Sequence, residues 1–292
     1  MSTEPRVQKP AINRLAAIRS NKHLLFALMG LAGGAAGALV AELAPMPAIS
    51  QELLRYVVHT SLWSGVFAGV LTIGLFWAGE IYHRKPGLAP RIIGKALLSG
   101  FVAGAIAGAI AQLVFSMPVG RRWLKEFILR PSCWALMGAL LGWRLGLVVP
   151  NLGFRRGAMG GAMGGLIGGY GFVLVNLLSL PETLSRMVGV GILGLALGLA
   201  IIIVEALFRE AFLEIIWAPG ETTSVSLGEK AVYIGGGDDH VFVPGLPQHA
   251  AGVLFENGRV QYLDTATGAR TVLKNDSKLQ IGHIWIVVHA FK

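Results

Sequence analysis

Residues 100–118 read GFVAGAIAGAIAQLVFSMP: glycine at every fourth position, one polar side chain (Gln112), then a proline turn. With its flanks this run covers residues 92–115 without a charge except Lys95. A helix needs about 20 apolar residues to cross a bilayer core, so the run predicts a span. Glycines four apart share one helical face. In lipid no hydrophobic drive joins helices, and such a flat stripe allows the close backbone packing that must replace it. The pattern recurs as GLAGGAAGALVAELAPM at 30–46 and GAMGGLIGGYGFVLVNLLSLP at 161–181, closing on Glu42 and Asn176 before proline. The partner runs lead into Tyr82-His83-Arg84-Lys85, Phe154-Arg155-Arg156 and Phe208-Arg209-Glu210. One helical hairpin repeated three times is the predicted unit.

Working outward, the apolar runs 24–43, 56–78, 92–115, 133–149, 157–178 and 187–207 predict an α-helical polytopic membrane domain of six transmembrane helices. The first follows a basic stretch, as a secretory signal does, but it is long and belongs to the repeat. The fourth is short and carries Arg144. Composition agrees: of 292 residues 54% are apolar, 14% are charged and 40 are glycine, far from an ordinary soluble enzyme. The long apolar runs exclude disorder. The single Cys133 excludes a disulfide scaffold.

The net charge of +9 is unevenly placed. Residues 1–207 hold 18 Lys/Arg against 7 Asp/Glu, while residues 208–292 hold 7 against 9. A basic excess among spans orients helices, so membrane lipids are expected partners and nucleic acid is not. One side collects Arg6, Lys9, Arg14, Arg19, Lys22, Arg84, Lys85, Arg91, Lys95, Arg155 and Arg156, and the other only Arg55, Arg121, Arg122, Lys125, Arg130 and Arg186. This predicts both termini on the cytoplasmic side of a bacterial-type inner membrane. Residues 119–130 place Val119, Trp123, Phe127 and Ile128 on one helical face, fitting either an interfacial amphipathic helix or a solvated loop.

Glu42, Arg144 and Glu205 are the ionisable groups at membrane depth. Such groups are costly and draw attention as an ion or proton path. All three lie near span ends, where pairing or snorkelling serves as well, and Arg144 and Glu205 share the cytoplasmic side. The midplanes read Gly, Ala and Leu, unlike the broken polar helices of transporters. His59 and His83 are expected at solvated interfaces. The glycine stripes serve intramolecular packing, a homo-oligomeric contact or a path for substrate.

After residue 207 the composition changes to nine short β-type runs, 212–217, 223–227, 231–234, 240–243, 250–255, 260–264, 270–273, 278–281 and 284–289, separated by turn residues. Asn257-Gly258 between two alternating runs is a strong hairpin signal. Many short strands at close spacing predict an all-β sandwich, residues 208–292, joined to the last span almost without linker. A basic cytoplasmic tail (1–23) and the membrane domain (24–207) complete the chain.

The strand and turn order of AVYIGGGDDHVFVPGLPQHA and VLFENGRVQYLDTATGARTVLKNDSKLQIGHIWIVV resembles the forkhead-associated (FHA) domain over residues 213–290. The resemblance implies a partner-binding loop cluster at Gly235, Gly236, Asp238, Asp239, His249, Thr267 and Gly268. In the family, Gly-Arg, Ser-x-x-His and Asn-Gly form a phosphothreonine pocket. Here Gly235-Gly236 stands for the first, Leu246-Pro247-Gln248-His249 keeps only the histidine of the second, and Thr267-Gly268 replaces the third. An arginine fork and a hydroxyl grip a phosphate dianion, and both are missing. Asp238, Asp239 and His240 could ligate a metal, but read better as a solvated loop. The Gly235–Gly237 run is no phosphate loop, because no Lys-Ser/Thr and no helix follow. No catalytic residue, metal site or cofactor is expected. The expected function is a non-enzymatic membrane scaffold presenting the β-domain to a cytoplasmic or membrane protein. A channel or transporter regulated by that domain, and a phosphothreonine-dependent module, are the alternatives.

Overall fold

The computed structural model describes residues 18–291 apart from 86, 88, 119, 150, 179 and 266. Arg6, Lys9, Arg14 and Val119 therefore lie outside the described residues. Six long helices come first: α1 Lys22–Ala41, α2 Glu52–Tyr82, α3 Pro90–Ser116, α4 Arg130–Val148, α5 Phe154–Asn176 and α6 Glu182–Leu207. Five are long and apolar enough to cross a membrane; α4, 19 residues with Arg130 and Arg144, is the exception. Helix starts follow local chemistry. Asn21 caps α1 by accepting the Leu24 amide at 3.0 Å, and Pro90 opens α3, where a missing N–H costs nothing.

Helices adjacent in sequence pack against each other, and α6 returns to α1, closing a six-membered ring. Glycine sets how close they come. A Cβ on Gly138 would collide with the Gly161 carbonyl, on Gly142 with that of Gly157, and on Gly30 with that of Gly194. In α1 and α5 glycine lines two faces. Gly30 and Gly34 meet α6 while Gly33 and Gly37 meet α2; Gly157, Gly161 and Gly165 meet α4 while Gly160, Gly164 and Gly168 meet α6. Helix α3 keeps only one such face, Gly100, Gly104 and Gly108 toward α2. At the positions corresponding to Gly33, Gly37, Gly164 and Gly168 it carries Ala103 and Ala107, and α3–α4 is the loosest contact in the ring. The inside is filled by Phe67, Leu71 and Leu75 of α2, Met137, Leu141 and Leu145 of α4, and Leu193, Leu197 and Ile201 of α6, all buried.

Residues 119–130, open at the sequence level, hold a helical turn Arg122–Leu124 and a wider π-helical turn Lys125–Leu129 that runs into α4. Trp123, Phe127 and Ile128 are exposed there. Helix α5 begins at Phe154, so Phe154-Arg155-Arg156 forms its first turn rather than the preceding loop.

Three residues after α6 the chain enters nine strands: β1 Ala211–Ala218, β2 Glu221–Leu227, β3 Val232–Gly235, β4 Val241–Phe242, β5 Ala251–Glu256, β6 Arg259–Leu263, β7 Arg270–Leu273, β8 Lys278–Ile281 and β9 Ile284–Ala290. They form two sheets, β2-β1-β9-β8 and β4-β3-β5-β6-β7. Period-two burial in β1, with Ala211, Leu213 and Ile215 inward, joins Ile284, Ile286 and Val288 to Val232, Ile234 and Val253 of the second sheet in one apolar core. Asn257 and Gly258, both at positive φ, make the β5–β6 turn.

Candidate functional site

Three regions carry polar chemistry: the seam between helix ring and β-domain, the loop cluster at one end of the sheets, and a cavity at the far end of the ring.

At the seam, Glu205 of α6 is buried and lies 2.5 Å from Lys22 of α1. Its second oxygen accepts from the hydroxyl of Ser226 on β2. The Tyr82 hydroxyl at the end of α2 accepts from the Ser224 amide at 2.6 Å, and Arg209 donates to the Ser224 hydroxyl at 3.2 Å. Asn151, in the α4–α5 turn, donates to the carbonyls of Ser226 and Lys230, each at 3.2 Å. Arg84 pairs with Glu221 and lies 4.7 Å over the Trp217 ring. The β-domain is thus clamped to the ends of α1, α2, α6 and the α4–α5 turn. Of the two alternatives left for Arg144 and Glu205, pairing with each other does not occur: Lys22 takes the carboxylate, and half-buried Arg144 makes no ion pair among the described residues. His83, expected to be solvated, has its Nδ1 covered in this seam. Burial, with Lys22 and Lys85 nearby, pushes its pKa down to about 3, so the ring is neutral. His240 is lowered in the same direction, by burial first and then by Lys85. Beside the clamp a cleft of about 870 Å³ is bounded by Arg156, Glu205, Arg209, Tyr233 and His240.

The loops carrying Gly236, Asp239 and His249 come together, with Thr265 beside them. His249, at φ 55°, is their junction: its amide donates to Asp239 at 2.6 Å, its Nδ1 lies 2.5 Å from the other Asp239 oxygen, and its carbonyl accepts from Thr265. Asp239 is buried, which corrects the solvated-loop reading, while Asp238 is exposed. The Tyr233 ring packs 4.4 Å from that of His249. Gly236 donates to the Pro247 carbonyl, tying the first loop to the second. A Cβ on Gly235 would strike the Pro247 carbonyl and one on Gly236 that of Leu246, so neither position has room for arginine. Thr267 and Gly268 form the β6–β7 turn, Thr267 bonding Asp264 at 2.8 Å. Pro244, Gly245, Pro247, Gln248, His249, Thr267 and Gly268 are all exposed. Among the described residues no three His, Cys, Asp or Glu are grouped to hold a metal.

At the other end of the ring, Glu42 caps α1 and receives Arg186 of α6 at 2.9 and 3.0 Å and the Trp63 indole at 3.3 Å. It stitches three helices, whereas Glu205 at the seam joins two helices and β2. Gln112 accepts from Thr60 at 3.0 Å, and Asn176 from Ser185 at 2.8 Å. Beside these bonds a cavity of about 500 Å³ opens among α2–α6, with His59, Gln112, Arg130, Cys133 and Arg186 on its walls. Trp63, Phe67, Trp134 and Phe172 form a chain of ring contacts, with centroids 5.3, 5.8 and 5.4 Å apart. One turn beyond Phe67 the ring is filled by Leu71 and its neighbours, so the cavity is a blind vestibule. Sequence reading missed it because five helices supply its walls. The one legible sign was alanine replacing glycine along α3.

No family model, curated protein or solved structure matches the chain.

Proposed function

We propose that the chain is a non-enzymatic integral membrane scaffold. Its six helices, α4 included, cross a bacterial-type inner membrane as three repeated hairpins with both termini cytoplasmic. A degenerate FHA-like sandwich at the cytoplasmic face presents the His249 loop cluster to a protein partner. The repeat is supported by glycine placement: the second helix of each hairpin meets the first of the next across a glycine stripe, at α2–α3, α4–α5 and α6–α1. Burial of Leu71, Leu141, Leu193 and Leu197 inside the ring argues against an open channel.

The observation that carries the reading is the locking of two exposed loops through buried Asp239 and His249, with Thr265 bringing in the third. A preorganised, exposed loop platform binds at lower entropic cost than a floppy one. Its glycines leave no space for a phosphate-gripping arginine, which favours an unphosphorylated partner. The test is photo-crosslinking in cells from full-length protein carrying the crosslinker at Gln248, with Lys274 as an exposed control. A discrete adduct from Gln248 alone, lost in Asp239→Ala, supports the scaffold. Equal adducts from both positions, or none, overturn it. Adducts that vanish on phosphatase treatment would instead establish the phosphothreonine-dependent module.

A further inference from the structure

The vestibule has its own chemistry. Its 500 Å³ falls within the range of small-molecule sites, and most of its wall is apolar, including Trp63, Phe115, Trp134, Met137 and Phe172. Among the described residues the only formal charges on that wall are Arg130 and Arg186. Their carboxylate partners, Glu126 for Arg130 and Glu42 and Glu182 for Arg186, lie outside it. Arg130 is held in place. Its Nε lies 2.9 Å from Glu126 and its Nη2 donates to the same carboxylate at 3.2 Å, while the guanidinium sits 5.4 Å from Phe115 and 5.9 Å from Phe172. Among the described residues Nη1 makes no hydrogen bond, leaving one edge of a pre-oriented cation for an acidic group. The cavity borders the α3–α4 seam, where alanine replaces the second glycine face, and Ile106, Ile110 and Leu113 are exposed along α3.

We propose that this vestibule binds a single-chain amphiphile with an acidic head, the head on Arg130 and the chain among Trp63, Trp134, Met137 and Phe172. The closed leucine core beneath makes it a binding site rather than a passage. The proposal needs the helices to lie in a bilayer, but not the loop platform to bind a partner.

Cys133, the only cysteine in the chain, lies on the cavity wall and reports occupancy directly. The experiment measures its alkylation by a water-soluble maleimide in full-length protein held in phosphatidylcholine nanodiscs, with oleate, oleyl alcohol or butyrate added. Oleate at about ten times its Kd slows alkylation about tenfold, because only the empty fraction reacts, and the alcohol and butyrate have much smaller effects. Arg130→Gln erases the advantage of oleate over the alcohol. Ala111→Phe fills the cavity without touching a charge, slowing alkylation by itself and removing any further effect of oleate. Equal protection by oleate and oleyl alcohol, or no protection by either, overturns the proposal.

Discussion

The Glu205 carboxylate lies 2.5 Å from the Lys22 ammonium, with the Ser226 hydroxyl on its other oxygen, so one buried group joins the first helix, the last helix and the β-domain. Removing one partner of a buried ion pair leaves an uncompensated charge, a loss of about 3–5 kcal/mol. Lys22→Met is therefore expected to lower the thermal midpoint and expose residues 208–210 to protease, while Lys22→Met with Glu205→Leu recovers much of the loss. Thermal unfolding and limited proteolysis of the purified protein check both.

The same seam makes docking pH-dependent. His83 titrates near 3 in the folded protein against 6.5 for a free histidine, and His240 is lowered too. Each binds a proton less readily when docked, so this stability is fully present above about pH 6.5 and declines as pH falls toward 3. Protease sensitivity of residues 208–210 should rise between pH 7.5 and 5, and His83→Gln should flatten part of that rise.

Glycine contacts in the ring separate into tight and open ones. Gly138→Ala forces α4 and α5 apart and should cost about 1–3 kcal/mol. Gly94, on α3 with open space beyond it, should tolerate alanine at no cost or with a gain of up to about 1 kcal/mol. Thermal midpoints of the two variants in one detergent give the comparison.

In the β-domain, Asp239→Ala removes the acceptor of the His249 amide inside a buried site. A loss of about 1–3 kcal/mol is expected. Hydrogen exchange should show faster exchange at residues 235–240 and 245–250, with β1 and β9 unaffected.

Helices and strands were legible because each repeats on a short period: glycine every fourth residue in α3, alternating burial along β1. Cores read locally in this way. Pairings across the fold did not. Glu205 was visible as a costly charge, but its partner Lys22 stands 183 positions away, and Arg144 looked closer by depth alone. Asn151, Ser224 and Ser226 carry no motif, and the cluster around Tyr82 marked only a helix end; their role exists because the β-domain docks where the ends of α1, α2 and α6 meet the α4–α5 turn. The loop residues were marked by resemblance, yet the burial of Asp239 against His249 depends on the turn at positive φ that sequence does not display.

In the proposed orientation one helical ring carries the β-domain on the cytoplasmic face and the vestibule on the opposite one. Labelling with a membrane-impermeant maleimide in oriented vesicles tests it most directly. Cys133 is expected to react in right-side-out vesicles and to be protected in inverted ones, and Gln248→Cys in a Cys133→Ser background to do the reverse. Labelling of both positions from the same side would contradict it.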